Sequence, residues 1–335
     1  MNELAPITQV FNTSNIEVQK KIVDTLYSKI TLKTPLFDIC EDINRKNIKV
    51  CPHCGKSQFI LYGKRKGVQN YKCKKCSKRF NEFTGTCISY LKKKHLLKPF
   101  IFEMLSGSSL KECAKLLSLS IQTTFDWRHK IISTLAEHVP KQFSGIIEMI
   151  EYLFPFSKKG QGAKAKKIGA KGEIKSDNEE LKKNQEHVSV IVVNDRNHKI
   201  DFKVIKIGKV SEFDLRDTFS SKLKSVKKLC IDQNITLKLF AIRKKISYHV
   251  LENQKRIKGK NKYFNTENSQ KMIFDLLFWM ERFKGVSSTY LQNYLYWFLL
   301  IEQIKHERDL TAVFLEKSIQ VKNGKVRYKK CRMFV

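Results

Sequence analysis

The spacing of apolar residues divides the chain into a helical front part and a strand-rich back part. Residues 95–135 carry apolar side chains every three or four positions, which is the period of an amphipathic helix. Farther on, short apolar runs predict strands at 145–155, 187–195, 199–207, 227–232 and 247–252. Helical spacing occurs at 211–223, 235–245, 269–283 and 288–307. This order of elements predicts a multi-domain α/β protein with a mixed sheet flanked by helices.

The remaining segments complete the predicted domain organisation. Residues 1–46 are expected to hold a helical segment, because positions 18–30 have helical apolar spacing. Residues 157–186 are rich in Lys and Gly and contain no aromatic residue, which predicts a basic loop. The predicted divisions are the helical segment 1–46, a cysteine-rich segment 47–85, a three-helix segment 92–138, an α/β domain 144–308 and a C-terminal tail 309–335.

Two C-x₂-C motifs give the most specific chemical signal in the chain. CPHC (51–54) and CKKC (73–76) are separated by 18 residues, a spacing typical of zinc sites. The residues between them alternate apolar and polar across a turn, as in a β-hairpin. Four free thiols, or a redox-active pair, are the alternatives, and the second lacks the βαβ pattern that accompanies such pairs. The predicted ligands of a closed, structural zinc site are Cys51, Cys54, Cys73 and Cys76.

The charge balance adds a polyanionic partner to this picture. The chain has 65 Lys and Arg residues against 32 Asp and Glu residues, a net charge of +33 at pH 7. Self-repulsion makes such a charge costly, and DNA, RNA or an anionic membrane surface would offset it. A lysine-rich genome bias is the alternative source of part of the excess. Basic residues of the cysteine-rich segment that we expect to contact DNA phosphates are Lys64, Arg65, Lys66, Lys74, Lys75 and Arg79.

The three helices predicted over 95–135 have the capping signals of a helix-turn-helix. Ser109 and Glu112 match a capping box for the second helix, and Ser120 can cap the third. Short polar and amide side chains at the start of the third helix are typical of a recognition helix, whose first turns meet base edges. A plain helical bundle is the alternative. The third helix is expected to bury Ile121, Phe125 and Ile132, to expose Thr124, and to contact DNA through Gln122, Thr123, Arg128 and Lys130.

A four-cysteine ribbon, a helix-turn-helix and a strand-rich domain in this order resemble bacterial transposases of the insertion sequence 1595 (ISXO-like) family. RFKGVSSTYLQNYLYWF (282–298) is similar to the family's C-terminal signature, and KYFNTENS (262–269) and GIIEMIEYLFPFSKKG (145–160) resemble two of its catalytic segments. The likeness covers about residues 45–300. The resemblance implies an RNase H-like domain, binding to terminal inverted repeats in double-stranded DNA, and assembly as a homo-oligomer.

The same resemblance implies a set of catalytic residues. In such enzymes three acidic or amide groups bind two divalent ions, Mg²⁺ or Mn²⁺, which activate water and then a DNA 3′-hydroxyl for attack on phosphate. Asp232 matches the second ligand and Asn268 the third. Ile150 stands where the family has its first Asp, and an isoleucine cannot bind a metal. Helix caps are the alternative roles for Asp232 and Asn268.

Strand geometry limits which carboxylate can replace the missing Asp. Glu148 shares a face of the predicted strand with Ile150, two positions earlier. Glu151 points to the opposite face and would need a bulge or a register shift to reach the same site. Because the first ligand is changed, a catalytically defective DNA-binding protein or regulator is the alternative to an active transposase.

Membrane and secretion signals are not expected. No run of 18 apolar residues occurs, and the first residues have neither a basic start nor an apolar core. We therefore expect a cytoplasmic, nucleoid-associated protein whose cysteines are reduced or bind metal.

Overall fold

The computed structural model describes residues 48–65, 68–89, 91–158, 187–251 and 264–320, together with four isolated positions near the N-terminus, and nothing is said of the others. All of the predicted helix at 18–30 except Val18 and Gln19, nearly all of the predicted loop 157–186, and Lys66 lie outside the described residues. Two compact units are present: the described residues up to Arg128 together with those from Glu307 on, and His129–His306.

A small antiparallel sheet forms the front of the first unit. Strands β1 (Phe59–Arg65), β2 (Val68–Cys73) and β3 (Arg79–Asn81) are paired in the order β1-β2-β3. The β1–β2 hairpin occurs where the alternating pattern predicts it. Its core is aromatic: the rings of Phe59, Tyr71 and Phe80 lie 5.4 to 5.6 Å apart, centroid to centroid. This cluster also contains Cys51 and Cys73, so the apolar core adjoins the cysteine knuckles.

Three helices follow, each bounded by the residues that the sequence indicates. They are α1 (Leu97–Ser106), α2 (Leu110–Leu116) and α3 (Ile121–Ile132). Gly107 ends α1 in the left-handed conformation with φ 90°, which glycine adopts without strain. Ser109 and Glu112 form the expected capping box of α2. The Ser120 hydroxyl accepts a hydrogen bond from the backbone N–H of Thr123, which caps α3.

The segment expected from the sequence to be a C-terminal tail contains a helix, α8 (Leu310–Gln320). Asp309 caps it by accepting from the backbone N–H of Ala312. The helix packs against α1, and Cys87 donates its S–H to the carbonyl of Ser318. The physical reason is its apolar face, which includes the fully buried Phe314, Leu315 and Ile319.

A mixed five-stranded sheet forms the second unit. Its strands lie in the order β6-β5-β4-β7-β8, where β4–β5 and β5–β6 are antiparallel and β4–β7 and β7–β8 are parallel. The strands are β4 (Ser144–Pro155), β5 (His187–Asp195), β6 (Ile200–Ile207), β7 (Ser225–Ile231) and β8 (Ser247–Val250). All five agree within about two residues with the strands expected from the sequence.

Helices cover both faces of this sheet. The side chains of Ile147, Met149 and Ile231 form one core cluster with Leu237 and Phe240. Residues of opposite parity on β4 face α6, since Glu148 contacts the start of that helix. The four helices of this unit are α4 (Glu212–Phe219), α5 (Ile235–Arg243), α6 (Glu267–Glu281) and α7 (Leu291–Ile304).

The outer strand β6 is held by a side chain of α7. The buried amide of Gln292 accepts from the backbone N–H of Val204 and donates to the carbonyl of Phe202, both at 2.8 Å. One side-chain amide therefore satisfies the hydrogen bonding of two backbone groups on the side of β6 that faces away from β5. The mixed α/β class expected from the sequence is confirmed.

Candidate functional site

Four thiols meet at one end of the small sheet. The ligand atoms of Cys51, Cys54, Cys73 and Cys76 all lie within 4.8 Å of one another. The Sγ atoms of Cys51 and Cys76 are 3.7 Å apart, and those of Cys54 and Cys73 are 3.6 Å apart. These separations are far longer than a disulfide bond of about 2.0 Å, so the four cysteines are free thiols. The sequence expectation that the two motifs meet is confirmed.

The two knuckles have the same backbone hydrogen bonds. In the first, Cys51 N–H donates to the carbonyl of Lys56 and Gly55 N–H donates to the carbonyl of Cys51, both at 2.8 Å. In the second, Cys73 N–H donates to the carbonyl of Lys78 and Ser77 N–H donates to that of Cys73, both at 3.0 Å. The residue after each second cysteine is left-handed, with φ 72° at Gly55 and 56° at Ser77. Each turn thus brings two thiols to one side.

The backbone also influences the ionisation of the thiols. The N–H of Cys76 donates to the sulfur of Cys73 and, outweighing burial, lowers the pKa of that thiol from its ordinary value to about 6. At Cys54 the N–H of Lys56 lowers the pKa, but burial and hydrogen bonds with the other three thiols raise it to about 11. Metal binding to such thiols releases protons, and the Cys73 thiol ionises most readily of the two whose pKa is shifted.

The cysteine geometry fits a tetrahedral metal ion. With metal–sulfur bonds of about 2.3 Å, the sulfurs of a tetrahedral site are about 3.8 Å apart. The measured 3.6 and 3.7 Å are close to this value. The four cysteines could therefore hold a metal ion, and they would leave it no open coordination position. His53 does not belong to this cluster of ligand atoms, and its Nε2 lies 3.2 Å from the carbonyl oxygen of Arg79.

Exposed basic residues occur along the cysteine-rich segment, from the tip of the β1–β2 hairpin to the second knuckle. The guanidinium of Arg79 lies over the ring of Tyr62 at 4.3 Å from its centroid and donates to its hydroxyl at 2.8 Å. Lys66 lies outside the described residues. The other basic residues of the cysteine-rich segment that are predicted to contact DNA are exposed, namely Lys64, Arg65, Lys74, Lys75 and Arg79.

The exposed face of α3 differs from the expected one. Gln122 is exposed, Thr123 and Lys130 are half-buried, and Ile132 is buried as expected. Ile121, expected to be buried, is 53% exposed, whereas Thr124, expected to be exposed, is fully buried. Thr124 donates its hydroxyl to the carbonyl of Ile121, which satisfies the group inside the fold.

Arg128 is the main correction to the expected DNA contacts. It is 2% exposed, and its Nη2 donates to the carbonyl of Ser108 at 2.8 Å and to the sulfur of Cys113 at 3.7 Å. The guanidinium thus links α3 to the turn between α1 and α2 and to α2 itself. A buried group with internal acceptors holds the three helices together and is not presented to DNA.

The carboxylate of Glu148 is buried and fully engaged. Its Oε1 accepts from Nδ2 of Asn268 at 2.7 Å and forms an ion pair with Nη1 of Arg196 at 2.9 Å. Its Oε2 accepts from the backbone N–H of Ser269 at 2.7 Å, in the first turn of α6. The structure therefore brings together two of the residues proposed as metal ligands, but with a guanidinium as the counter-charge.

A second polar group lies on the other side of β4. Nδ2 of Asn234 donates to Oε2 of Glu151 at 2.6 Å, and Asn234 N–H donates to Oδ1 of Asp232 at 3.2 Å. Burial raises the pKa of Asp232; the Asn234 N–H opposes this, and the negative charge of Glu151 adds to it. Glu151 and Asp232 are therefore near neighbours, each in contact with Asn234.

The alternative roles as helix caps do not describe either residue. Asn234 caps α5, by accepting from the N–H groups of Thr236 and Leu237, and Asp232 precedes it. Asn268 lies inside α6, whose N-cap is Thr266, and its amide donates to Glu148. The strand phase expected for Glu148 and Glu151 is consistent with their different partners.

Two residues of these groups, Arg196 and Asn234, are not among those predicted from the sequence. Arg196 is a single basic residue in a β-turn, and its partner Glu148 is 48 positions away, so no local pattern connects them. Asn234 does have a signal, because an Asn just before a helical run is a typical N-cap. Its hydrogen bond with Glu151 has no signal in the sequence.

In the described part of the chain, the four cysteines are the one group of three or more His, Cys, Asp or Glu residues placed to hold a metal ion.

Comparison of the chain with protein-family models finds no match, and comparison with curated proteins finds none either. Within the same described residues, no helix combines the length and apolarity that crossing a membrane requires.

Proposed function

We propose that this chain is a DNA-binding protein of the transposase type whose RNase H-like domain does not cleave DNA. In this proposal the four-cysteine ribbon is stabilised by zinc, and α1–α3 act as a helix-turn-helix. The ligand is double-stranded DNA, with the terminal inverted repeats of an insertion sequence as the expected target. Homo-oligomerisation and association with the nucleoid belong to the same proposal, and they rest on the sequence resemblance and the net charge of +33.

The observation that carries the DNA-binding part is the set of exposed basic residues on the hairpin and the second knuckle. Lys74 and Lys75 are exposed within the second knuckle, and Lys64 and Arg65 are exposed at the tip of the hairpin, at the opposite end of β1 from Phe59, which pairs with Cys73. Lysine and arginine side chains held on a rigid turn suit contacts with phosphate oxygens. A structural zinc site supports this role, because it orders a segment too short to fold on its own core.

The salt dependence of binding tests this part of the proposal. Each phosphate contact contributes a slope of about 0.9 to the plot of log affinity against log salt concentration. The double variant Lys64→Ala/Arg65→Ala is expected to weaken binding to a duplex of any sequence and to reduce the slope by about 1 to 2. Lys305→Ala is the control, since Lys305 is paired with Glu302 on α7. Equal slopes in all three proteins would contradict the proposed contact surface.

The absence of cleavage follows from the environment of Glu148. A divalent ion needs oxygen ligands with a free negative charge, and Arg196 already neutralises this carboxylate. Ile150 is buried and contributes no ligand atom at the position of the family's first Asp. The register pairs Glu148 with Cys230, so the residue on β4 that would lie beside Asp232 is this isoleucine.

A second candidate function, an active transposase, is favoured by one observation: Asp232 and Glu151 share Asn234 as a contact. In that case Asp232 and Glu151 would hold Mg²⁺ or Mn²⁺, and the bound ions would supply the activation of water and of a 3′-hydroxyl. Titrating Mn²⁺ into zinc-saturated wild type and Asp232→Ala separates the two candidates. Binding that is lost in the variant, together with strand cleavage, would favour the enzyme; no binding in the wild type would support the defective form.

A further inference from the structure

The start of α3 presents an apolar and an amide side chain side by side to solvent. Ile121 is the first residue of this 12-residue helix and is 53% exposed, and Gln122 beside it is exposed as well. An isoleucine at a helix start would ordinarily be buried against the preceding turn. Its exposure beside an amide gives this surface two chemically distinct contact groups.

The amide of Gln122 is held by a neighbour one turn along the helix. Its Nε2 donates to Oδ1 of Asp126 at 3.0 Å. Because a carboxylate only accepts hydrogen bonds, it selects the NH₂ end of the amide and directs Oε1 away from itself. One hydrogen on Nε2 and both lone pairs of Oε1 remain available. Gln122 is thus a preoriented donor–acceptor pair, and Asp126 is the residue that positions it.

This pair matches one base. In the major groove adenine presents the N7 acceptor beside the N6 amino donor, and a glutamine amide bonds both. Guanine presents two acceptors there, so it would face the Gln122 Oε1 with no donor. The neighbouring Ile121 offers apolar contact, and thymine presents its C5-methyl group in the same groove.

The charge around this surface suits duplex DNA. Lys111 and Lys115 on α2 are exposed, and Lys130 is half-exposed farther along α3. The whole chain carries 33 more positive than negative charges. The hydroxyl of Thr123 lies 2.8 Å from that of Ser120 at the cap, so it is engaged within the start of the helix. The exposed polar group in this first turn is therefore the amide of Gln122.

We infer that α3 reads adenine and thymine in the major groove, with Gln122 bonding an adenine, Ile121 contacting a thymine methyl, and Asp126 positioning Gln122. This inference rests on the proposed function, in which α1–α3 bind DNA as a helix-turn-helix. It adds the sequence class that the protein selects and the residues that select it.

The test is selection of binding sites from a duplex library with a randomised segment, followed by affinity measurements on the selected duplex. Wild type should select A·T pairs at two neighbouring positions. Gln122→Ala should lose about tenfold or more of the discrimination between A·T and G·C at one of them. Its salt slope should stay unchanged, because no phosphate contact is removed. Gln270→Ala, which removes an exposed amide on α6, is the matched control and should behave as wild type.

Two further variants test the roles of Asp126 and Ile121. Asp126→Ala should relax discrimination at the Gln122 position. Asp126→Asn should relax it partly, since its Oδ1 can still accept from Nε2 but its NH₂ can also donate to Oε1 and hold the amide in the opposite orientation. Replacing thymidine by deoxyuridine removes the methyl group from the DNA, and it should weaken wild type several-fold but leave Ile121→Ala unaffected.

The outcomes separate this inference from the proposed function. Sequence-independent duplex binding in wild type, or full discrimination in Gln122→Ala, would overturn the inference and leave DNA binding intact. No duplex binding by wild type at low salt would overturn both.

Discussion

At the scale of single residues, buried charges decide how the polar groups of the second unit are arranged. A carboxylate removed from water needs a counter-charge and hydrogen-bond donors, and Glu148 has Arg196, Asn268 and a backbone N–H. The arrangement satisfies the carboxylate from inside the chain. Removal of any one donor would leave a buried charge short of a partner.

Arg196→Ala is therefore expected to lower the free energy of unfolding by about 1 to 3 kcal/mol, because the Glu148 carboxylate stays buried without its cation. Arg216→Ala is the matched control. Its side chain is 45% exposed and 4.0 Å from the Glu212 carboxylate one turn earlier on α4, so this ion pair should contribute less than about 1 kcal/mol. Urea unfolding of both variants measures the difference, and equal losses would argue against a buried ion pair.

Arg128→Ala is expected to destabilise the first unit by about 2 to 4 kcal/mol, since it removes two internal hydrogen bonds and leaves a cavity between the helices. The DNA affinity of the protein that remains folded should be unchanged. Lys130→Ala, on the same helix but half-exposed, should weaken DNA binding and leave the free energy of unfolding nearly unchanged. Unfolding curves and binding measured below the transition distinguish the two. A folded, stable Arg128→Ala variant that binds DNA poorly would contradict the structural role.

Residue types alone do not reveal which side chains are exposed. The spacing in α3 correctly predicts that Ile132 is buried. Arg128, expected to be exposed, is buried, and Ile121, expected to be buried, is exposed. The reason is tertiary: Arg128 finds acceptors on α2 and its preceding turn, which lie 15 to 20 residues earlier in the chain. A local pattern contains no information about such partners.

At the scale of elements, we expect the small sheet that carries the four cysteines (the ribbon of the proposal) to be stabilised more by its metal-binding knuckles than by its apolar core. Its buried hydrophobic cluster contains Tyr71 and Phe80 with two of the cysteines. A core of this size contributes little stability by itself, and metal binding supplies the remainder in small domains of this kind.

Removing zinc with a strong chelator is therefore expected to unfold the ribbon. The purified protein should contain about one zinc ion per chain, and Cys73→Ser should contain almost none. Cys113→Ala is the control, because this cysteine is buried among the helices and outside the cluster, and its zinc content should be unchanged. Metal analysis and thiol accessibility measure both effects. Full zinc content in Cys73→Ser would contradict the four-cysteine site.

Helix α4 carries a pH-sensitive cap. Burial would raise the pKa of Asp214, but the ammonium of Lys206 and the hydroxyl and N–H of Ser211 lower it to about 2. A carboxyl whose pKa is lower in the folded state than its unfolded value of about 3.9 stabilises the fold above pH 4. This contribution is lost as the pH falls from about 4 to about 2.

Asp214→Asn should therefore reduce the free energy of unfolding by about 1 to 2 kcal/mol at pH 6 and by little at pH 2. Asp217→Asn, on the exposed side of the same helix, removes the same charge without the cap contacts and serves as the control. Unfolding measured between pH 2 and 6 gives the two slopes. Parallel slopes for the two variants would contradict the cap.

The elements themselves were largely predictable from the sequence. Alternation and apolar runs located β4 to β8 because a half-buried strand must alternate and a central strand must be apolar. Helix α8 was missed although Asp309 and the apolar residues Leu310, Val313 and Phe314 give a helical signal. Strand β3 has three residues and no period to detect. Strand order in the sheet and the partners of Glu148 and Glu151 depend on contacts far apart in the chain.

At the scale of the whole molecule, the charge of +33 is expected to act on folding and on the proposed DNA binding with opposite dependence on salt. Repulsion among excess positive charges opposes the compact state, and added salt screens it. Attraction to phosphate is screened by the same ions.

Raising NaCl from about 50 to about 500 mM is therefore expected to raise Tm by a few degrees while weakening DNA binding. KCl should give the same shift, because screening depends on ionic strength; sulfate is avoided since it stabilises proteins by another route. Differential scanning fluorimetry measures the first effect and fluorescence anisotropy the second. A Tm that falls as salt is added would show that ion pairs outweigh repulsion.

The amide of Gln292 has a consequence for the behaviour of the protein at high concentration. An outer strand with free peptide groups is where the sheet of one molecule adds to that of another, and fibre growth begins from such edges. On β6 the amide takes the place of the peptide group of an incoming strand, at Phe202 and Val204. This edge is thereby closed at its middle by the molecule's own helix, so a concentrated solution should resist strand-by-strand stacking along β6.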